Sequence, residues 1–251
     1  MRTIEKTELV SKVFQLTRDK ESKTIPEYLS KDILSSVGMP IPMQGLAGSE
    51  QEAISLANDI GYPVVLKVHS FEITHKSDIK GVLLNLKSEE EVRKGFQEII
   101  QNVHFYHPNA TDVMVSVQKM MEPGTEVIVG MKRDRVFGPS ILFGLGGVWV
   151  EILKDVSVRI SPLTDHDIEE MIKEIKGNPL LGEFRGSRER DIPKLKELIR
   201  TLEELSIQYP EISEIDLNPV FLYEKDKGAI VADARIILSS ESLVVNGGEL
   251  E

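Results

Sequence analysis

The 251-residue sequence predicts an α+β fold built as two lobes with a ligand cleft between them. Two observations support this prediction. Capped helices with one apolar face alternate along the chain with short β-branched runs, as expected when helices cover a sheet. A second series of strands starts near residue 113, so the chain contains enough elements for two lobes. Small ligands commonly bind in clefts between such lobes.

The composition excludes several classes of function. The chain has 30 basic and 41 acidic residues and a net charge of −11. We therefore expect neither nucleic-acid nor membrane partners, because both favour basic surfaces. Cysteine is absent, which removes disulfides, thiolate nucleophiles and cysteine-bound metals. The N-terminus is polar and no apolar run is long enough to span a bilayer, so we expect a cytoplasmic protein.

The first lobe is predicted from its helix signals. The charge-rich first 24 residues indicate a peripheral helix or a docking arm, and Thr24 with Pro26 is typical of the next helix start. Ser49 opens a capping box, and Gly61 follows the last turn of that helix. The remaining elements are strands at residues 63–68 and 81–86 and a capped helix at residues 88–106.

The second lobe is predicted from period-two alternation and two further helical stretches. Its elements are strands at residues 113–118, 126–131, 136–143 and 155–160, helices at 167–175 and 193–205, and strands at 214–223 and 229–237. We therefore divide the chain into an N-terminal extension (residues 1–24), a small lobe (25–112), a large lobe (113–238) and a C-terminal tail (239–251).

The first candidate site combines Lys67 with the loop at residues 75–81. Lys67 ends an apolar run, where a buried cation is costly without a partner. It either extends its ammonium to solvent or binds phosphate as a point charge. The loop offers His75, Lys76, a hydroxyl and Gly81, which together can surround a phosphate. His75 is either a surface residue or a phosphoryl acceptor, because neutral imidazole is nucleophilic.

A glycine-rich segment at residues 143–147 is the second candidate. Glycine lets a backbone approach a ligand closely, although a bulged strand with a turn has the same composition. No helix opens directly after the segment, so it is not a dinucleotide fingerprint. Asp155 and Arg159 follow it and share one side if this stretch is a strand.

The third candidate is a group of oxygen donors near the C-terminus. Alternation places Glu214, Asp216 and Asn218 on one strand face, and Asp233 lies on the next strand among apolar neighbours. Mg²⁺ prefers such hard ligands and takes phosphate oxygens to complete its shell. The alternative is a solvated edge strand, against which the apolar setting of Asp233 argues.

Together these segments resemble the ATP-grasp module of the β subunits of ADP-forming acyl-CoA (acetyl-CoA) synthetases, in the succinyl-CoA synthetase superfamily. The resemblance covers roughly residues 25–238. The segments that carry it, in matching order, are residues 61–67, 75–78, 81–82, 137–139, 143–147 with Glu151, Asp155 and Arg159, 214–219 and 232–234.

For the nucleotide, the resemblance implies binding of ADP or ATP with Mg²⁺ in the cleft. Asn218 and Asp233 would hold the Mg²⁺, and the loop at residues 75–81 would fold over the phosphates. The backbone of residues 118–120 would read the adenine edge, and Glu126 would lie near the ribose. The nucleotide-binding residues implied in this way are Lys67, Lys76, Gly81, Gln118, Lys119, Met120, Glu126 and Arg159.

For the reaction, the resemblance implies an ADP-forming acid–CoA ligase with a phosphoryl relay between two histidines. His75 would be the second histidine, and Asp216 would position it, as an aspartate fixes the tautomer in a histidine–aspartate pair. No CoA-binding fingerprint or flavodoxin-like domain is found before Glu251. We therefore expect the CoA site and the first histidine on a separate α subunit, in an α2β2 heterotetramer.

Two other functions remain open at this point. The chain could be a non-catalytic interaction subunit, in which case Mg·ADP would not stabilise it. It could also be a stand-alone ATP-grasp ligase that activates a carboxylate without a partner or CoA. The absence of the third domain that such ligases usually have counts against the second alternative.

Overall fold

The computed structural model describes residues 3–73, 76–147, 154–183, 186 and 188–240. In chain order the elements are α1 (Thr3–Asp19), β1 (Thr24–Ile25), α2 (Glu27–Ser36), β2 (Gln44–Ala47), α3 (Glu50–Ile60), β3 (Val64–His69), β4 (Val82–Leu86), α4 (Glu89–Tyr106), β5 (Met114–Lys119), β6 (Thr125–Asp134), β7 (Gly138–Leu145), β8 (Val156–Ile160), α5 (Asp165–Glu174), a 3₁₀ turn (Asn178–Leu180), α6 (Ile192–Gln208), β9 (Ile212–Leu222), β10 (Ala229–Val231) and β11 (Ala234–Leu238). Within these residues, no helix combines the length and the hydropathy that a bilayer span requires.

The larger lobe is built on a seven-stranded antiparallel sheet. Its strands lie in the order β1-β11-β9-β6-β7-β8, and β10 pairs with β9. Side chains alternate across β6, so Val127, Val129 and Met131 face the core and are buried. Apolar residues of α1, α2, α5 and α6 complete the same core. The opposite face of β9 and β11 carries Asp216 and Asn218 of β9 and Arg235 of β11, which line a cavity.

The smaller lobe is a four-stranded antiparallel sheet in the order β2-β5-β3-β4. Helices α3 and α4 cover one face of this sheet, where Val64, Leu66 and Val68 are buried beneath them. The alternate residues of β3 point the other way, yet all six residues of the strand are buried. The second face is therefore covered as well, and it is the face that meets the larger lobe.

The strand pairing moves the boundary between the lobes. Strand β5 was expected to start the large lobe at residue 113, but it pairs with β2 and β3 in the smaller sheet. The expected small lobe also began at residue 25, whereas β1 pairs with β11 and α2 packs in the larger core. The chain thus runs from the larger lobe into the smaller one and back again.

The N-terminal segment is a second correction. Helix α1 is part of the larger core rather than a peripheral arm, because Val10, Val13 and Phe14 are buried there. Thr24 does not cap the next helix, since it lies in β1 and Pro26 occupies the cap position of α2. The predicted caps at Ser49 and Ser88 are confirmed, each accepting a backbone N–H three residues on.

We expect the smaller lobe to depend on Leu66, which is fully buried beneath its helices. Leu66→Ala removes apolar burial and leaves a cavity, so it should lower the free energy of unfolding by about 2–5 kcal/mol. Leu84 on the neighbouring strand is 59% exposed, and Leu84→Ala is the matched control with little expected effect. Urea denaturation of both variants measures the difference, and equal losses would contradict this packing.

Candidate functional site between the two lobes

The centre of the candidate site is the carboxylate of Glu27, in the first turn of α2. Its Oε1 atom accepts hydrogen bonds from Lys31 Nζ at 2.8 Å and from Lys67 Nζ at 2.6 Å. Its Oε2 atom accepts one from Lys76 Nζ. Glu27, Lys31 and Lys67 are buried and Lys76 is partly exposed, so three lysines share one carboxylate that is itself withdrawn from bulk water. Such a cluster holds more positive charge than its central anion can offset.

Each lysine arrives on a different part of the fold. Lys31 lies one turn beyond Glu27 on α2, the spacing at which helical side chains meet. Lys67 lies in the middle of β3, on the face directed at the larger lobe. Lys76 follows in the turn that leads to β4. The site therefore joins α2 of the larger lobe to two segments of the smaller one.

Asp233 lies in the break between β10 and β11 and faces two of these lysines. Its Oδ2 atom is 3.1 Å from Lys67 Nζ, and its Oδ1 atom is 3.6 Å from Lys76 Nζ. The N–H of Ala234 donates to Oδ1 at 2.8 Å, which fixes the carboxylate. Lys67 is thus buried between two carboxylates of the larger lobe, and the alternative in which it extends to solvent is wrong.

Burial and charge act on these groups in opposite directions. Burial alone would raise the pKa of Glu27, but Lys67, Lys31 and Lys76 lower that pKa well below its ordinary value. Burial alone would lower the pKa of Lys67, but the carboxylates of Glu27 and Asp233 raise it. For Lys31, burial and the nearby Lys67 outweigh Glu27 and lower the pKa to about 8. Glu27 is therefore ionised and Lys67 protonated at neutral pH.

Two cavities meet at the cluster. One, of about 330 Å³, lies between the sheets and is lined by Lys67 and the end of β5. The other, of about 260 Å³, is lined by Glu27, Lys76 and the polar face of β9. Ser77, Val82 and Asp233 line both. An elongated anion could therefore pass from one cavity into the other beside the lysines.

The segment expected to read an adenine edge lines the first cavity. It contains Gln118, Lys119 and Met120. The backbone N–H groups of Lys119 and Met120 already donate to the carbonyls of Met43 and Pro63, at 2.8 and 3.1 Å. Because these two N–H groups are already paired, a purine in the cavity would hydrogen-bond to the carbonyl oxygens of residues 118–120 or to the backbone N–H of Met121.

Glu126 lies across the same cavity, at the start of β6, and also lines the neighbouring cavity beside the glycine-rich segment. The N–H of Gly146 donates to the Glu126 carbonyl at 2.7 Å. A Cβ atom at Gly146 would lie 2.9 Å from the Cβ of Glu126, so only glycine permits this approach. Packing of one strand end on another therefore accounts for part of the glycine-rich pattern.

Asp216 and Asn218 line the second cavity together with Asp233 and Arg235. The guanidinium of Arg235 lies 3.1 Å from Glu214 and 3.6 Å from Asp216. Burial raises the pKa of Asp216, and Glu214 and Asp233 raise it further against the opposing effect of Arg235. The carboxylates thus repel one another at this end of the site, as expected where a cation would be favourable.

These donors fit a magnesium ion that is bound together with phosphate. Asp216, Asn218 and Asp233 offer the oxygen ligands that Mg²⁺ prefers. Among the described residues, no three or more His, Cys, Asp or Glu side chains form a metal-binding group of their own. Phosphate oxygens would have to complete the coordination shell, which is usual for Mg²⁺ at nucleotide sites.

Not every residue expected at the site lies there. Arg159 is on β8 at the far edge of the sheet, where its guanidinium pairs with Glu174 at 2.6 and 2.8 Å. This placement corrects its expected nucleotide contact. Gly81 shapes the loop, because a Cβ there would lie 2.6 Å from Val68 Cγ1. His75, like Glu151, lies outside the described residues.

Glu27 and Lys31 were not among the residues expected at the site. A Glu–Lys pair four residues apart at a helix start is typical of a solvent-exposed ion pair. One sequence feature points towards these two residues, namely the predicted start of α2 at residues 24–27. That start places the first turn of the helix at the edge of the sheet. Only the pairing of β1 with β11 shows that this turn is buried against Asp233.

Comparison with known proteins defines the class of this chain. Residues 17–238 match the ATP-grasp domain family, to which the chain therefore belongs. Within that family it belongs with the β subunits of ADP-forming acetate–CoA ligases. It is 47% identical to the subunit beta of acetate–CoA ligase I from Pyrococcus furiosus, covering 87% of this chain and 93% of the relative.

Solved structures agree with this assignment. Acetyl-coenzyme A synthetase 1 of Ca. Korarchaeum cryptofilum, in complex with coenzyme A and Ca-AMPCP, matches with a TM-score of 0.86 and 45% identity over 91% of this chain and 99% of that one. A second structure of the protein contains Mg-AMPPCP and a phosphohistidine segment pointing towards the nucleotide binding site, with a TM-score of 0.78, 42% identity and the same coverage of both chains. The two-lobed ATP-grasp fold predicted from the sequence is confirmed.

Removing the central carboxylate should destabilise the chain. Glu27→Gln leaves three lysines beside a single remaining carboxylate, and loss of one partner from a buried ionic group costs about 3–5 kcal/mol. Because the pKa of Glu27 is lower in the folded chain than in the unfolded one, its contribution is present above about pH 4.5 and is lost as pH falls. Thermal denaturation at pH 7 and pH 4 measures the melting temperatures of wild type and variant. The difference between these two melting temperatures should be smaller at pH 4 than at pH 7. A difference that widens on acidification would contradict the ionised state of Glu27.

Proposed function

We propose that this chain is the nucleotide-binding β subunit of an ADP-forming acyl-CoA synthetase. In this function it transfers a phosphoryl group between a phosphohistidine and ADP. The observation that carries the proposal is the convergence of Lys67, Lys76 and Asp233 where two cavities join between the lobes. Family membership supports the same function, since the relatives are acetate–CoA ligases of the ADP-forming type.

The nucleotide would lie along the first cavity, with its base against residues 118–120 and its ribose near Glu126. Its phosphates would then reach Lys67, with Lys76 on the far side of Asp233. Phosphoryl transfer is catalysed largely by positioning and charge neutralisation, which two fixed ammonium groups can supply. Asn218 and Asp233 would hold a Mg²⁺ ion, which offsets charge on the phosphate oxygens when bound.

In the transfer step, a terminal oxygen of ADP attacks the phosphorus atom of a phosphohistidine. A P–O bond forms, the P–N bond breaks, and the imidazole nitrogen keeps the electron pair. The sequence motif assigns the accepting histidine on this chain to His75, and Asp216 would hold its ring in the reactive orientation. Both assignments rest on the family motif and on the position of Asp216 at the second cavity.

The partner in this proposal is an α subunit with the CoA-binding domains and the first phosphohistidine. Longer relatives support it: this chain spans 30% of acetate–CoA ligase I of Archaeoglobus fulgidus at 46% identity. The β subunits of Pyrococcus furiosus are instead matched over 93% and 90% of their length. We propose an α2β2 assembly located in the cytoplasm.

Reconstitution tests the whole function. The chain should be co-purified with the candidate α subunit and assayed for ATP formation from acetyl-CoA, ADP and phosphate. We expect ATP only when both subunits are present. ATP hydrolysis by the chain alone, dependent on a carboxylic acid and independent of CoA, would identify a stand-alone ligase and contradict the proposal.

Asp233 is predicted to be required for Mg²⁺-dependent nucleotide binding. Asp233→Asn removes a charged ligand but leaves Lys67 paired with Glu27, so the chain should fold and bind Mg·ADP at least about tenfold more weakly. Asp226→Asn, in the exposed turn before β10, is the matched control and should bind as the wild type does. Calorimetric titration measures both, and unchanged affinity for Asp233→Asn would refute its role as a ligand.

His75 is predicted to be required for transfer but not for binding. His75→Ala in the reconstituted complex should abolish ATP formation, because no acceptor remains, while the affinity for Mg·ADP stays near the wild-type value. His166→Ala, at an exposed position of α5, is the control and should keep full activity. Full ATP formation by His75→Ala would remove the relay through this residue.

A further inference from the structure

Lys31 is wholly buried, so its side chain cannot reach a nucleotide through solvent. Its ammonium nevertheless has three acceptors, one from each of three segments. They are Glu27 Oε1 at 2.8 Å, Gln118 Oε1 at 2.9 Å and the carbonyl of Ala232 at 2.6 Å. The three donors of an ammonium are thereby all used.

Each acceptor belongs to a residue of the candidate site or to a residue directly beside one. Gln118 begins the segment that lines the first cavity, and Ala232 immediately precedes Asp233. Glu27 holds Lys67 and Lys76 through its two oxygens. The Lys31 ammonium therefore connects three parts of the site across the two lobes. They are the segment proposed to contact the adenine base, the peptide before Asp233, and the carboxylate that holds Lys67 and Lys76.

Packing alone does not require a charge at this position. Burying an ammonium is costly, and an apolar side chain of similar volume often stabilises a protein as well or better. What the ammonium adds is a set of fixed distances between groups that come from different lobes, since Gln118 belongs to the smaller lobe and Glu27 and Ala232 to the larger one. Gln118 shares in this network, since its Nε2 atom donates to Glu27 Oε1 at 3.3 Å and to Ser116 Oγ at 3.1 Å.

We propose that Lys31 is a positioning residue of the nucleotide site, whose ammonium holds Gln118 and the Ala232–Asp233 peptide at fixed distances from Glu27. The inference rests on the proposed function. It assigns to Lys31 no contact with nucleotide, metal or reacting phosphoryl group. Its effect is exerted through the segment at residues 118–120 and through Asp233.

Lys31→Met tests this role, because methionine fills a similar volume and leaves Glu27 paired with Lys67 and Lys76. The variant should bind Mg·ADP on the order of tenfold more weakly in calorimetric titration, as expected when charged hydrogen bonds that fix a site are lost. In the reconstituted complex the KM for ADP should rise by a similar factor, and kcat should change less. A merely structural role would lower the melting temperature and leave both binding measurements unchanged.

Glu203→Gln is the matched control. Glu203 is also a buried charged residue, but it accepts from Ser161, Leu163 and Arg200 within the larger lobe, away from the cavities. This variant should lose stability while keeping wild-type affinity for Mg·ADP. An equal loss of affinity for Mg·ADP in both variants would mean that Lys31→Met acts only through general destabilisation. That result would overturn the proposal.

The remaining outcomes separate the two proposals. Wild-type affinity in folded Lys31→Met overturns the positioning role and leaves the proposed function intact. A wild-type chain that does not bind Mg·ADP overturns the proposed function, and the positioning role with it. If Lys31→Met does not fold, Lys31→Arg replaces it, since a planar guanidinium keeps the charge but does not reproduce the three ammonium contacts. Weaker binding by Lys31→Arg then supports the proposal, and wild-type binding overturns it.

Discussion

One buried carboxylate, that of Glu27, sets the geometry of the space between the lobes. It accepts hydrogen bonds from three lysines, two of which belong to the smaller lobe. A buried ion that loses its partners is strongly unfavourable, so the lobes are held in one arrangement by the need to keep this group satisfied. The positive charge that remains beside Asp233 is what suits the site to a polyphosphate.

The order of the chain explains why such a site can form. Helix α1, strand β1 and helix α2 form part of the larger lobe first, the smaller sheet follows, and the chain then returns to the larger sheet. Segments that are far apart in sequence, around positions 27, 67 and 233, thereby meet at one junction. The interruption between β10 and β11 matters most, because it frees the Ala232 carbonyl and the Asp233 carboxylate to face the lysines.

Local patterns were sufficient for most elements, and the motif segments included Lys67, Lys76 and Asp233, which the fold brings together. Caps at Ser49 and Ser88, the apolar run of β3 and the alternation of β9 are local signals, and each corresponds to an observed element. Strand pairing is a long-range property, so β5 was assigned to the wrong lobe, and Arg159 was expected at the nucleotide although it lies on the edge strand β8. Glu27 and Lys31 could not be identified because their burial depends on β11, about two hundred residues away in the chain.

The most direct test is a crystal structure of the chain with Mg·AMPPCP. We predict adenine against residues 118–120, a phosphate oxygen within hydrogen-bond distance of Lys67 Nζ, and the metal ion bound by Asn218 and Asp233. A nucleotide bound outside the cleft, or one whose phosphates do not approach Lys67, would contradict it.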